Sequence, residues 1–279
     1  MSAFKRFAAM LLNIVAFLAT FYAASMIHDH GLVKVKAYTD FQAKNPTMWI
    51  ISVLTIGFVL LILLHAAKRL IFGSDGFAKA AHLRGFAPSL LLPLTVIGFS
   101  CAFLFICLVK ISYLQENFPA LDNYVDIFMG DSFLITLLGV AVVGAVYEET
   151  LFRGLILSQL WKAKVHFVPA LVVHALLYAY FQPSVPISFV AFFLATLYTL
   201  LFYKIRSVLV SIYVAALLNA LLVTAKKTGV YESIGDWHDA LLHAGVLASL
   251  AVIVGMLVYV YRSGETRKPG QQAEPAASI

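Results

Sequence analysis

"LITLLGVAVVGAVYEETLFRGLILSQLW", residues 134–161, decides how this chain is read. A bilayer crossing takes about 20 mostly apolar residues, and this run is long enough. Yet it holds Glu148, Glu149 and Arg153. A charged side chain at the centre of a span costs about 2.5–3.5 kcal/mol on insertion scales, so three of them need compensation. Glu149 and Arg153 stand at i and i+4 on one helical face, in the favourable acid-first order. Glu148 points about 100° away around the helix and has no local partner. It is therefore the carboxyl left available as a general base or acid. The plainer alternative is a structural network of all three, joining this span to its neighbours; ionisable groups inside membranes favour the functional reading by default.

The rest of the chain sets the context. Of 279 residues, 62% are hydrophobic and 12% charged, with a mean hydropathy of +0.90. Soluble domains carry about a quarter charged residues, so the composition is that of a membrane protein. Apolar runs near 7–27, 49–67, 86–109, 132–160, 167–182, 184–203, 208–224 and 241–261 predict an all-α polytopic bundle of about eight transmembrane helices. The first run is too long for a signal-peptide core and reads as a retained span.

Lysine and arginine give the orientation. With the N-terminus inside, 13 fall on the cytoplasmic side and six outside, which puts both termini in the cytoplasm. The acidic segment "QENFPALDNYVDIFMGD", residues 115–131, suits the outer side. The formal charge of +6 is thus loop charge rather than a nucleic-acid surface. Residues 1–261 read as one transmembrane domain, and the polar stretch 262–279 as a disordered cytoplasmic tail. Cys101 and Cys107 share one run and cannot pair with each other. "HDH" at 28–30 is a weak metal signal on the outer side, and no metal or other cofactor is required by the residues present. His65 and His243 read as interfacial.

Depth links three spans. Counting from the basic ends at 1.5 Å per residue, Glu148 lies about 21 Å in, Gln182 about 22 Å and Asn219 about 18 Å. His174 comes only about 10 Å in, nearer the level of Arg153, and reads as a hydrogen-bonded histidine among packed helices. Taken alone, Gln182 could be a span-end residue and Asn219 an interhelical hydrogen bond worth about 0.6–2 kcal/mol.

"EETLFRG", residues 148–154, resembles the Glu-Glu-x-x-x-Arg motif of the CAAX-protease and bacteriocin-processing family of intramembrane glutamic endopeptidases. The resemblance covers roughly residues 132–224. "ALLYAYFQP" is similar to the family's Phe-x-x-x-His motif, with Tyr178 at the phenylalanine and Gln182 at the histidine. "YKIRSVLVSIYVAALLNALL" is similar to its His-x-x-x-Asn motif, with Ala215 at the histidine and Asn219 at the asparagine. Both motif histidines are replaced. The resemblance implies a glutamate-activated water that attacks a membrane-associated or lipidated peptide. Glu148 would be the base, Glu149 and Arg153 its supports, and Gln182 and Asn219 the positioning amides. The implied location is the bacterial inner membrane, with lipid and a membrane-associated peptide or protein as partners. The alternative is a degenerate member that binds a peptide or partner membrane protein without cutting it. A proton-coupled carrier is a weaker third class, with no inverted repeat to encourage it.

Overall fold

The computed structural model describes residues 3–126 and 132–263. Each apolar run forms a helix. These are α1 (Ala3–His30), α2 (Met48–Phe72), α3 (Leu91–Lys110), α4 (Phe133–Lys162), α5 (Phe167–Tyr180), α6 (Val185–Ile205), α7 (Val208–Thr228) and α8 (Asp239–Arg262). Short helices fill the connections, and no strand occurs among the described residues. Residues 127–131 of the acidic segment and 264–279 of the expected tail lie outside the described residues.

Among the described residues, seven of these eight helices are each long and apolar enough to cross a membrane. The exception is α5, whose 14 residues reach about 21 Å against a hydrocarbon core of about 30 Å. The cause is local: α5 stops before Pro183, and α6 restarts with Pro186 in its first turn, where a missing N–H costs nothing. Ser188 Oγ donates to the Ala179 carbonyl at 2.8 Å and closes the hairpin between them. The outer surface is apolar, with Leu92, Leu134 and Phe189 each more than 70% exposed. Water would not tolerate such a surface at this extent, whereas lipid does. The protein is an integral membrane protein.

Polar contacts sort the helix ends into two faces. On one, Asn13 Nδ2 donates to Gln159 Oε1 at 3.0 Å and Lys68 bonds Asn13. There too Arg84 bonds the Arg206 carbonyl, and Lys204 Nζ reaches the Tyr261 carbonyl at 2.9 Å. This basic face gathers the start of α1 and the ends of α2, α4, α6 and α8, so the described chain begins and finishes on the same side. On the opposite face, Lys110 pairs with Asp122 at 3.2 Å and Glu232 at 3.0 Å, and Lys226 pairs with Asp126 at 2.8 Å. The hydrogen bond from Lys226, reinforced by Lys110, holds the Glu232 carboxyl below its usual range. Two lysines counted as outer positive charge are thus neutralised by acids beside them, which sharpens the charge asymmetry between the faces.

The core centres on α3, which packs against α7 and α8. Small residues permit that closeness, as is usual where lipid supplies no hydrophobic drive between helices. A Cβ on Gly245 of α8 would stand 2.7 Å from Cys107 Sγ of α3. Cys101 and Cys107 are both free and buried.

Beside α4, Gly154 is needed for a backbone approach. A Cβ there would lie 2.8 Å from the Ala81 carbonyl oxygen, which cannot rotate away. Gly154→Ala is expected to lose about 1–3 kcal/mol by overpacking. Gly255→Ala, with open space around it, is expected to be neutral or to gain up to about 1 kcal/mol of helix propensity. Thermal unfolding in detergent compares the two; equal melting temperatures would remove the close-packing argument.

Candidate active site

Span α4 is not a uniform α-helix. Two stretches, Leu137–Gly144 and Thr150–Ile156, have π-helical i→i+5 hydrogen bonding, and between them the turn Ala145–Glu149 is α-helical. The π-form is rare, appears mostly as single widened turns, and is frequent at functional sites. Here it brackets Tyr147, Glu148 and Glu149.

The two glutamates separate as the spacing predicts. Arg153 Nη1 donates to Glu149 Oε1 at 2.8 Å, with both side chains at most 1% exposed. Their pairing is charge-assisted, which strengthens the bond. The Arg153 guanidinium also lies 4.4 Å from the Tyr178 ring centre and 5.4 Å from that of Tyr198. Such cation–π contacts are worth up to about 2 kcal/mol when desolvated. The pair leaves Arg153 Nε and Arg153 Nη2 without hydrogen-bond partners among the described residues.

Glu148 has no partner on its own helix, but it gains one from another. The Tyr178 hydroxyl, reaching in from α5, donates to Glu148 Oε2 at 2.8 Å. The partner comes from a different helix, 30 residues along the chain, so helical spacing within α4 had no means of showing it. Tyr178 is itself held on three sides. Its hydroxyl is on Glu148, its ring face meets Arg153, and Phe152 meets it edge-on at 4.9 Å and 90°. One tyrosine therefore ties the free acid to the paired one.

Glu148, Gln182 and Asn219 line a single cavity of about 160 Å³, together with Tyr178, Tyr124 and apolar side chains of α2, α3, α6 and α7. Its wall includes Ile50 and Leu54 near the start of α2, Phe105 near the end of α3 and Leu222 near the end of α7. These positions put the cavity in the half of the bundle away from the basic face, in keeping with the depth estimates. The Gln182 amide donates to the Tyr178 carbonyl at 3.5 Å, and the Asn219 amide donates to the Val140 carbonyl at 3.2 Å. Each amide nitrogen carries two N–H donors, so each retains one for another acceptor. Ala215 is buried and does not line this cavity.

His174 is fully buried, with Nδ1 3.2 Å from the Thr199 hydroxyl and its ring 6.2 Å from that of Phe152. It is the packed, hydrogen-bonded histidine expected at the level of Arg153, and it does not line the Glu148 cavity. Two other histidines are also buried: His28 is bonded to Asp29 at 2.8 Å and Tyr38 at 3.0 Å, and His65, read from the sequence as interfacial, is stacked on Phe17 at 5.3 Å. Among the described residues, no group of three His, Cys, Asp or Glu side chains is placed to hold a metal ion.

Chemically, the arrangement offers a carboxylate with one oxygen held by a phenol, a second acid neutralised by an arginine, and two amides facing the same space. No curated protein and no solved structure matches the chain. A family model does. It covers residues 130–221, from α4 through most of α7, and so takes in Glu148, Glu149, Arg153, Tyr178, Gln182 and Asn219. Residues 130–221, about a third of the chain, are similar to the family described as type II CAAX prenyl endopeptidase, Rce1-like, the family that "EETLFRG" resembles.

Proposed function

We propose that the protein is an intramembrane endopeptidase that cleaves a membrane-associated or lipidated peptide by glutamate-activated water. One observation carries the reading: Glu148, Gln182 and Asn219 stand on separate parts of the chain and line one cavity. Glu148 takes a proton from water as the water oxygen bonds to the scissile carbonyl carbon. The remaining N–H donors of Gln182 and Asn219 face the developing oxyanion. The proton held by Glu148 then passes to the leaving amine as the C–N bond breaks. Glu149 and Arg153 hold the helix turn on which Glu148 sits, and Tyr178 fixes the direction of its carboxylate. The basic face is the cytoplasmic one on the charge rule, in the bacterial inner membrane, so peptide reaches the cavity from the half of the bilayer facing away from the cytoplasm.

The test is cleavage in proteoliposomes. Wild-type protein is given fluorescent peptides with and without a C-terminal lipid, and product is followed by mass. Binding without any product in either series would sink the reading. Tyr178→Phe is the informative variant, since it keeps the ring over Arg153 and removes only the hydroxyl. A hydrogen bond to a charged group is worth about 1.5–3 kcal/mol, so turnover should fall about 10- to 100-fold with the fold retained. Unchanged turnover would show that Tyr178 merely packs.

A further inference from the structure

A second cavity, of about 350 Å³, opens between α1, α2 and α4 at the basic face, the opposite end of the bundle from Glu148. We propose that it binds the phosphate headgroup of an anionic phospholipid. The inference does not depend on the protease reading.

The argument begins with where the cations come from. Arg6 lies in the first turns of α1, Lys68 in the last turns of α2, and Lys162 at the end of α4. Nothing in the sequence separation links them; the packing of three helices brings them to one cavity. Lys68 is held by an amide rather than an acid: it bonds Asn13, and Asn13 Nδ2 donates in turn to Gln159 Oε1 at 3.0 Å. Lys68 and Lys162 are close enough to repel each other. Arg6 Nε is buried without a hydrogen-bond partner. Among the described residues, no carboxylate forms an ion pair with Arg6, Lys68 or Lys162. The carboxylate at the rim, Asp75, feels Lys162 but bonds Lys79 at 2.9 Å.

Three cations of one sign around one space make a site for an oxyanion. The remainder of the wall decides the source of that anion. Met10, Phe17 and Phe72 line the same cavity, and Phe72 is largely exposed at the end of α2. A soluble phosphate has no use for such a wall, whereas the acyl chains of a lipid do. Basic pockets between transmembrane helices at the cytoplasmic side suit anionic headgroups for these reasons.

Lipid retention by the full-length protein tests the proposal. The protein is reconstituted separately with phosphatidylglycerol and phosphatidylcholine, re-extracted in mild detergent, washed, and assayed for bound lipid by native mass spectrometry. Phosphatidylglycerol should be retained over phosphatidylcholine. Removing one surface cation should weaken retention about fivefold, so Lys162→Gln loses that factor and Arg6→Gln with Lys162→Gln loses about 25-fold. Lys162→Arg should retain lipid as the wild type does. Equal retention of the two lipids, or wild-type retention by the double variant, would overturn the site. Displacement of the lipid by an equal concentration of inorganic phosphate would overturn the lipid assignment in favour of a free anion. Circular dichroism reports whether the double variant is folded. If it is not, Lys162→Gln, which changes an exposed side chain, decides alone.

Discussion

Glu148→Gln is expected to lower peptide cleavage by about 10²–10⁴-fold, the usual contribution of a positioned general base. The substitution preserves shape and leaves an oxygen to accept from the Tyr178 hydroxyl, which donates to Glu148 Oε2 at 2.8 Å. The cavity should therefore keep its geometry and lose only its proton acceptor. Substrate binding should persist, so the loss should fall on the rate of single-turnover cleavage and leave capture of the lipidated peptide intact. Liposome assays with limiting peptide separate the two. Cleavage within a few-fold of wild type would mean that water is activated elsewhere and that Glu148 has a packing role. The matching variant at Glu149 does not make this test cleanly, because its carboxyl is also a structural partner.

Arg153→Met should have the largest effect on stability. It strands the Glu149 carboxylate in a site where that side chain is 1% exposed, and breaking one side of a buried pair costs about 3–5 kcal/mol. It also removes the cation from between the Tyr178 and Tyr198 rings. Replacing both members, Glu149→Leu with Arg153→Met, removes the stranded charge and should recover most of that loss, since apolar substitutes for a buried ion pair are often neutral. Thermal unfolding of the three proteins in one detergent checks the order: wild type and double variant high, single variant low. A double variant as unstable as the single one would show that the ion pair itself is not the source of the loss. The double variant adds a functional reading as well. If it is folded and inactive, the pair serves the chemistry by placing the Glu148 turn; if it is folded and active, the pair serves folding alone.

The helices were legible because their signal is local. Each of the eight apolar runs became a helix, since a continuous apolar stretch needs no partner to announce itself. The count of crossing helices was less legible. The run 167–182 looks like its neighbours in composition, but α5 ends at Tyr180 because the chain must turn through Pro183. The division of "YEETLFRG" into a paired and an unpaired acid was likewise local, and the Glu149–Arg153 bond holds across a π-helical stretch that no spacing rule foresaw. Tyr178 shows the limit. In the sequence it is an aromatic residue where a related motif has phenylalanine. Its hydroxyl acquires a partner only when α5 packs against α4.

By itself, then, the sequence determined the membrane class, the helices, the acid–arginine pair and the likeness of the segment 130–221 to a family model, because each rests on residues within a few turns of one another or on a linear motif. The tertiary structure decided the rest. It placed Glu148, Gln182 and Asn219 on one cavity, gave Glu148 its tyrosine, buried His28 and His65, and gathered Arg6, Lys68 and Lys162 at the opposite face. The physical reason is the same throughout. Within a helix the backbone fixes which residues share a side, whereas between helices the contacts depend on how side chains interlock, and no local period in the chain encodes that.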